Sequence, residues 1–204
     1  VNGVSFSVED GKCVGLVGES GCGKSTLGRL ITGLESPDTG NILFKGESIC
    51  RKNKKGYKFC KNIQMVFQDS FDAVNPRFTA GQIIEEPLVN LKRMSSAERS
   101  TEVTKLLEQV GIPASEKNKY ALEFSGGQLQ RVCIARALAS DPSLIVLDEP
   151  LSSLDVSVQA QILNLLRDIK EQRNLSYILI SHDLEAVYYL ADSLVVMYGG
   201  QIME

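Results

Sequence analysis

Apolar positions recur along the chain with two different periods, and the switch between them outlines its organisation. Val4, Phe6 and Val8 alternate with Ser5, Ser7 and Glu9, which predicts a half-buried strand ended by Asp10-Gly11. The continuous run CVGLV at 13–17 predicts a buried strand that leads through GESGCGKST into the helix-like LGRLITGL. Gly33 and the SPDTG turn at 36–40 close that helix, and NILFKG begins another strand. IQMVF at 63–67 is a further strand candidate. After Asn75-Pro76 the pattern becomes largely helical to about residue 140. Within that stretch Ser95-Ser-Ala-Glu98 has the form of a capping box, and Val103, Leu106, Leu107 and Val110 supply one apolar face. Gly111 is placed to end this helix. LIVLDEP at 144–150 predicts a buried strand ending in acids, and YILIS at 177–181 the next strand. Between them, Val158, Ile162, Leu165 and Ile169 keep helical spacing. Strand–helix alternation on both sides of a helical middle predicts a parallel α/β core carrying a helical insertion.

Composition narrows the class. The chain has 204 residues, 43% hydrophobic and 23% charged, which fits one domain with a real core, or a core with one inserted subdomain. A net charge of −3 gives no global attraction to nucleic acid. One local basic run stands out: Lys45, Arg51, Lys52, Lys54, Lys55, Lys58 and Lys61 against Glu47. It reads as a solvated loop or hairpin rim, because no stacking aromatics are interleaved with it over a wider basic surface. No apolar run approaches the roughly 20 residues that span a bilayer, so work at a membrane needs a partner to hold the chain there. Five scattered cysteines (Cys13, Cys22, Cys50, Cys60, Cys133) suit a reducing compartment, and the single histidine, His182, argues against a dedicated metal site. The strand-like pattern already running at Val1, and the turn just before Glu204, suggest a fragment of a longer subunit.

Three stretches carry chemistry. Gly18-Glu19-Ser20-Gly21-Cys22-Gly23-Lys24-Ser25 fits G-x-x-x-x-G-K-[ST] between a strand and a helix. Glycines let backbone N–H groups converge on phosphate oxygens, and the helix N-terminus adds positive potential. Lys24 is expected to neutralise β- and γ-phosphate charge, Ser25 to ligate Mg²⁺, and Thr26 to reach the α-phosphate. Asp148 and Glu149 are consecutive carboxylates at the end of an apolar strand, and successive strand side chains face opposite sides. They therefore take different tasks: Asp148 as partner of Mg²⁺, Glu149 as holder of the attacking water. In FSGGQLQR at 124–131, Ser125 is placed to cap a helix, while Gly126 and Gly127 remove side chains that would block an approaching anion. Ala135, Ala137, Leu138 and Ala139 suit the buried side of that helix.

Taken together, these stretches resemble one family, the nucleotide-binding subunits of ABC transporters. GESGCGKST is similar to its Walker A loop, LIVLDEP to Walker B, FSGGQ to the signature motif with Phe124 for the usual leucine, and LSSLD at 151–155 to the D-loop. Gln68 stands at the Q-loop position, and ISHD at 180–183 supplies the switch histidine, His182. The resemblance implies a P-loop NTPase fold of ABC type: a RecA-like parallel core, an N-terminal antiparallel β subdomain and an inserted helical subdomain. It implies one ATP-binding domain over 1–204, with 1–68 and 141–204 as core and β subdomain and 69–140 as the Q-loop and helical signature subdomain. The implied cofactors are ATP and Mg²⁺. Glu149, His182 and Gln68 would be catalytic, with Gln68 also reaching the metal and relaying its state to a membrane partner. Ser125, Gly126, Gly127, Gln128 and Asp155 would serve ATP held by an opposing subunit. The family usually stacks adenine on an aromatic upstream of these strands; none precedes Phe6, so no stacking residue is named.

The implied partners are a second ATP-binding subunit, two transmembrane permease subunits and, indirectly, an extracytoplasmic binding protein, at the cytoplasmic face of the cell membrane. Nucleic acid is not among them. FQDSFDAVNPR, LSSLDVSVQAQILNLL and SGGQLQRVCIARALA resemble the peptide/nickel importer branch, with Leu129-Gln130-Arg131 closer to nickel subunits than the Arg-Gln-Arg common in peptide ones. Nickel or a related transition metal is thus the first expectation for the cargo, and a di- or oligopeptide the alternative. A soluble ABC ATPase acting on ribosomes or DNA fits less well, since the short insertion from Gln68 to Ser125 has no sustained heptads. A small-molecule kinase leaves the Ser-Gly-Gly segment unexplained.

Overall fold

The structure, a computed structural model, describes residues 1–49, 59–92 and 94–204. Cys50 and most of the basic run (Arg51, Lys52, Lys54, Lys55 and Lys58) lie outside the described residues, while Lys45 and Lys61 are exposed. The chain forms two compact units.

The first unit comprises Val1–Met65, Ser143–Glu149 and Ile169–Glu204. Among the described residues its sheet has six strands: β1 (Cys13–Gly18), β4 (Ile63–Val66), β5 (Leu144–Asp148), β6 (Ser176–Ile180), β7 (Ser193–Tyr198) and β8 (Gln201–Ile202), in the order β4-β5-β6-β1-β7-β8. β1 runs parallel to β6 and β7, β5 parallel to β6, and β8 closes antiparallel on β7. Every residue of β5 and of β6 is buried. Strands covered on both faces must be apolar on both, which is why they read as unbroken runs rather than alternations. β2 (Leu43–Phe44) and β3 (Glu47–Ser48) form a separate antiparallel hairpin, turned by Lys45 and Gly46 with φ of 49° and 80°.

Residues 1–9 depart from the expected strand. Val4, Phe6 and Val8 are half-buried against the apolar cluster around Leu16, Leu27 and Ile178, while Ser5, Ser7 and Glu9 are exposed, yet none of the nine is in a ladder. Alternation reports which side faces the core; a strand also needs a neighbour for its N–H and C=O groups, which periodicity does not encode.

The start of β1 is held by a long-range clasp. Asp192 Oδ2 accepts from the Cys13 N–H at 2.7 Å and from Lys170 Nζ at 2.6 Å, and Oδ1 accepts from Lys12 Nζ at 3.3 Å. Partial burial opposes the charge on Asp192, but the donors from Lys170 and Cys13 outweigh it and hold the carboxyl down to about 2. A depressed carboxyl stabilises the fold above its ordinary value and loses that contribution as pH falls. Asp192→Asn is therefore expected to lower stability at neutral pH by roughly 1–2 kcal/mol. The difference from wild type should shrink as pH drops from 3.8 towards about 2. Urea midpoints of both proteins across that range provide the check; a gap that stays constant would count against the clasp.

The second unit comprises Val66–Pro142 and Pro150–Asp168. It contains α2 (Ala80–Pro87), a π-helical turn at Leu88–Lys92, α3 (Ser96–Gln109), α4 (Gly126–Ala139) and most of α5 (Val156–Arg173). The expected capping box opens α3: Ser95 N donates to Glu98 Oε2 at 2.8 Å, and Glu98 N to Ser95 Oγ at 3.4 Å. Val103, Leu106, Leu107 and Val110 are buried, and Gly111 ends the helix with φ 73°. A second box, Thr79 with Gln82, opens α2 and is visible in the sequence as T-x-x-Q.

Candidate active site

β1 ends at Gly18, and α1 (Lys24–Ile31) starts six residues later, so the intervening loop is a tight reversal built on glycine. A Cβ on Gly18 would lie 2.1 Å from the Met197 carbonyl oxygen, too close for any side chain. Gly23 caps α1 at φ 105°, in the left-handed region, and supplies no side-chain acceptor for the helix's first N–H groups. Those donors and the helix dipole therefore face the loop. Lys24 is only 5% exposed, and its Nζ donates to Gly18 O at 2.7 Å and Glu19 O at 2.9 Å. The ammonium thus braces the same loop whose backbone it would help present to a phosphate. Glu19, Ser20, Gly21 and Thr26 are exposed, and Cys22 is buried with its Sγ 4.0 Å from Lys24 Nζ.

Ser25 Oγ donates to Asp148 Oδ1 at 2.9 Å, joining the first turn of α1 to the last residue of β5. Burial pushes the Asp148 carboxyl up; the Ser25 hydroxyl opposes this, and the charge of Glu149 adds to it. A buried carboxylate beside a hydroxyl is a pair of hard oxygen donors that a small divalent cation would relieve, and this donor set fits Mg²⁺. Glu149 leaves the strand with φ 45°, its N–H donating to Ile180 O at 2.9 Å. Glu149 Oε2 lies 3.4 Å from His182 Nδ1, with the histidine side chain 64% exposed.

The turn carrying His182 is fixed by its neighbours. Asp183 N donates to Ser181 Oγ at 3.0 Å, and Asp183 Oδ1 caps α6 (Leu184–Leu190) by accepting from Glu185 N at 2.9 Å and Ala186 N at 3.3 Å. Sequence reasoning passed over both Ser181 and Asp183. The available signal was an acidic residue directly before a helical apolar run, the usual N-cap position.

Residues 18–26, Asp148, Glu149 and His182 are all in the first unit; Gln68, residues 125–128 and Asp155 belong to the second. Gln68 is exposed, two residues beyond β4. Ser125 caps α4 as expected: Gln128 N donates to Ser125 Oγ at 3.3 Å, and Gln128 Oε1 accepts from Ser125 N at 3.1 Å, so the Gln128 side chain closes a capping box. The two glycines have different reasons. A Cβ on Gly127 would fall 2.3 Å from Val158 Cγ1, so this glycine is demanded by packing on α5. On Gly126 a Cβ would meet only Leu154 Cδ2 at 3.4 Å, an ordinary contact. Asp155 is exposed at the start of α5.

A largely parallel sheet whose inner strand passes through a glycine loop into a lysine-headed helix, beside strand-end acids, is the architecture of a P-loop NTPase. The profile of the ABC transporter family matches residues 1–152, and the chain belongs to that family. It is 50% identical over its whole length to the oligopeptide transport ATP-binding protein AppF of Bacillus subtilis, covering 63% of that protein. It is 47% identical to the dipeptide transport ATP-binding protein DppF of Haemophilus influenzae, again over its whole length and 63% of the relative. The chain thus spans less than two thirds of these relatives. Among solved structures it is similar to the dimeric ATP-binding cassette MJ0796 bound to ADP and Pi, with a TM-score of 0.88 at 28% identity over 98% of this chain and 87% of the other. CbiO1 of Clostridium perfringens, part of the ABC transporter complex cbiONQ, also gives 0.88, at 30% identity over 99% and 79%. The sequence-based preference for nickel finds no support in these names, where oligopeptide and dipeptide transport recur. Among the described residues, no helix is long and apolar enough to cross a membrane.

Proposed function

We propose that this chain is one ATP-binding domain of an ABC importer, and that it binds and hydrolyses MgATP to drive uptake of di- or oligopeptides. The observation carrying the ATPase reading is the convergence of Lys24, the Ser25–Asp148 pair and the Glu149–His182 pair within one unit. In this reading the loop N–H groups and Lys24 bind the β- and γ-phosphates, and Thr26 reaches the α-phosphate. Ser25 and Asp148 would hold Mg²⁺, which would neutralise phosphate charge when bound. Glu149 accepts a proton from the attacking water, and His182 orients the γ-phosphate side of that water. Gly126 has room for a Cβ within its own chain, so its bareness is better explained by something arriving from outside. An ATP held by a second subunit is that something, with Ser125, Gly126, Gly127, Gln128 and Asp155 facing it.

The partners on this reading are a second ATP-binding subunit, two permease subunits and an extracytoplasmic binding protein, with the domain peripheral at the cytoplasmic face. The cargo is assigned through the peptide names of the relatives, because an ATPase subunit does not itself touch cargo. The test is uptake in cells lacking this subunit, with labelled dipeptide, labelled oligopeptide and labelled nickel supplied in parallel. Loss of peptide uptake, restored by the wild-type chain, is expected. Loss of nickel uptake with peptide uptake intact would reinstate nickel and overturn the peptide assignment.

A further inference from the structure

Within the second unit, one partly buried polar side chain turns back onto the backbone that precedes its own helix. Gln159 is on the first turn of α5, partly buried, and its Nε2 donates to two backbone carbonyls, Leu151 O and Leu154 O, each at 3.0 Å. Both partners are acceptors, so the orientation of the amide is set by chemistry: only the NH₂ end can serve them. The 151–155 turn is otherwise held by Leu154 N donating to Leu151 O at 3.1 Å, and by Asp155 O accepting from Val158 N and Gln159 N at 2.9 Å each. Gln159 therefore grips the turn from its far side and closes it onto the helix that follows. The adjacent residue, Val158, is the one that leaves no space for a side chain at Gly127 of α4. A second link runs parallel to it: Arg131 donates through Nη2 to Gln161 Oε1 at 3.0 Å and through Nη1 to Val110 O at 2.9 Å.

We propose that Gln159 is a positioning residue that fixes the 151–155 turn, and with it Asp155, on the same rigid piece as the signature glycines of α4. The inference rests on the ATPase reading above, in which Asp155 and residues 125–128 both serve an opposed nucleotide. Two segments meeting one ligand must keep a fixed spacing, since a displacement of about 1 Å can lower a reaction rate by 10²-fold. Gln159 supplies that spacing without touching the ligand. Its two donors shape the turn, and Val158 beside it sets the turn's distance from Gly127.

The test uses the full chain with Gln159→Met, Gln159→Glu and Gln159→Lys. Methionine keeps the length and loses the donors, glutamate sets an acceptor against two carbonyls, and lysine restores donors to both. Methionine and glutamate should each lower kcat for MgATP hydrolysis by about tenfold or more, with MgATP affinity unchanged, and lysine should recover most of the loss. Hydrogen exchange should rise about tenfold in peptides covering 151–155 and also in those covering 125–131. Wild-type turnover in the methionine and glutamate variants, or a lysine variant as slow as glutamate, would overturn the positioning role. A wild-type chain that binds and hydrolyses no ATP would instead sink the ATPase reading. Exchange then still decides the structural tie, because an increase confined to 151–155 would show that Gln159 does not join the turn to α4.

Discussion

Glu149→Gln is expected to leave MgATP binding intact and to lower turnover by about 10²–10⁴-fold, the range a positioned proton acceptor contributes. The amide matches the carboxylate in size, and the backbone at 149 is held by its own N–H to Ile180 O, so the turn should survive the change. What disappears is the ability to take a proton from water. His182 Nδ1, 3.4 Å from Glu149 Oε2, loses a charged neighbour in the same step. Steady-state hydrolysis and an equilibrium titration with MgATP on the same preparation separate the two effects. Turnover close to wild type would remove Glu149 from its role, and a parallel loss of binding would mean that the substitution had disturbed the loop.

Lys24→Ala should act on binding instead. Two charge-assisted contacts to phosphate are worth roughly 3 kcal/mol together, so affinity for MgATP should fall about 100-fold. The structure adds a second cost. Lys24 Nζ is the donor to the Gly18 and Glu19 carbonyls, so alanine also removes the brace of the loop. The variant should therefore show faster hydrogen exchange at 18–24 even before nucleotide is added. Unchanged affinity would contradict the phosphate-loop assignment.

The elements most legible in the sequence were those whose cause is local. Leu144–Leu147 and Tyr177–Ile180 declare buried strands by their unbroken apolar runs, and Ser95 with Glu98 declares a helix start because both halves of the capping box lie within four residues. The glycine loop at 18–25 was legible for the same reason: its glycines, lysine and serine are contiguous. Features made by distant residues were hidden. Asp192 looks like any surface acid until β1 brings Cys13 N to it from 179 positions away. Gln159 is hidden although its partners lie only 5 and 8 positions upstream, because no sequence signal shows that the chain before it curls back within reach of its amide. Val4, Phe6 and Val8 show the converse: the periodicity identified the buried side correctly, but ladder partners are a tertiary property.

Glu149 carries one more implication. Among non-glycine residues a left-handed φ is uncommon and costs on the order of 1 kcal/mol or more, and this residue adopts it at 45°. Glycine or asparagine would suit that backbone better. Directed evolution that selects only for heat resistance would thus be drawn at position 149 towards residues lacking a carboxylate, and could deliver hardier proteins that no longer turn over. Any library built on this scaffold should hold position 149 fixed.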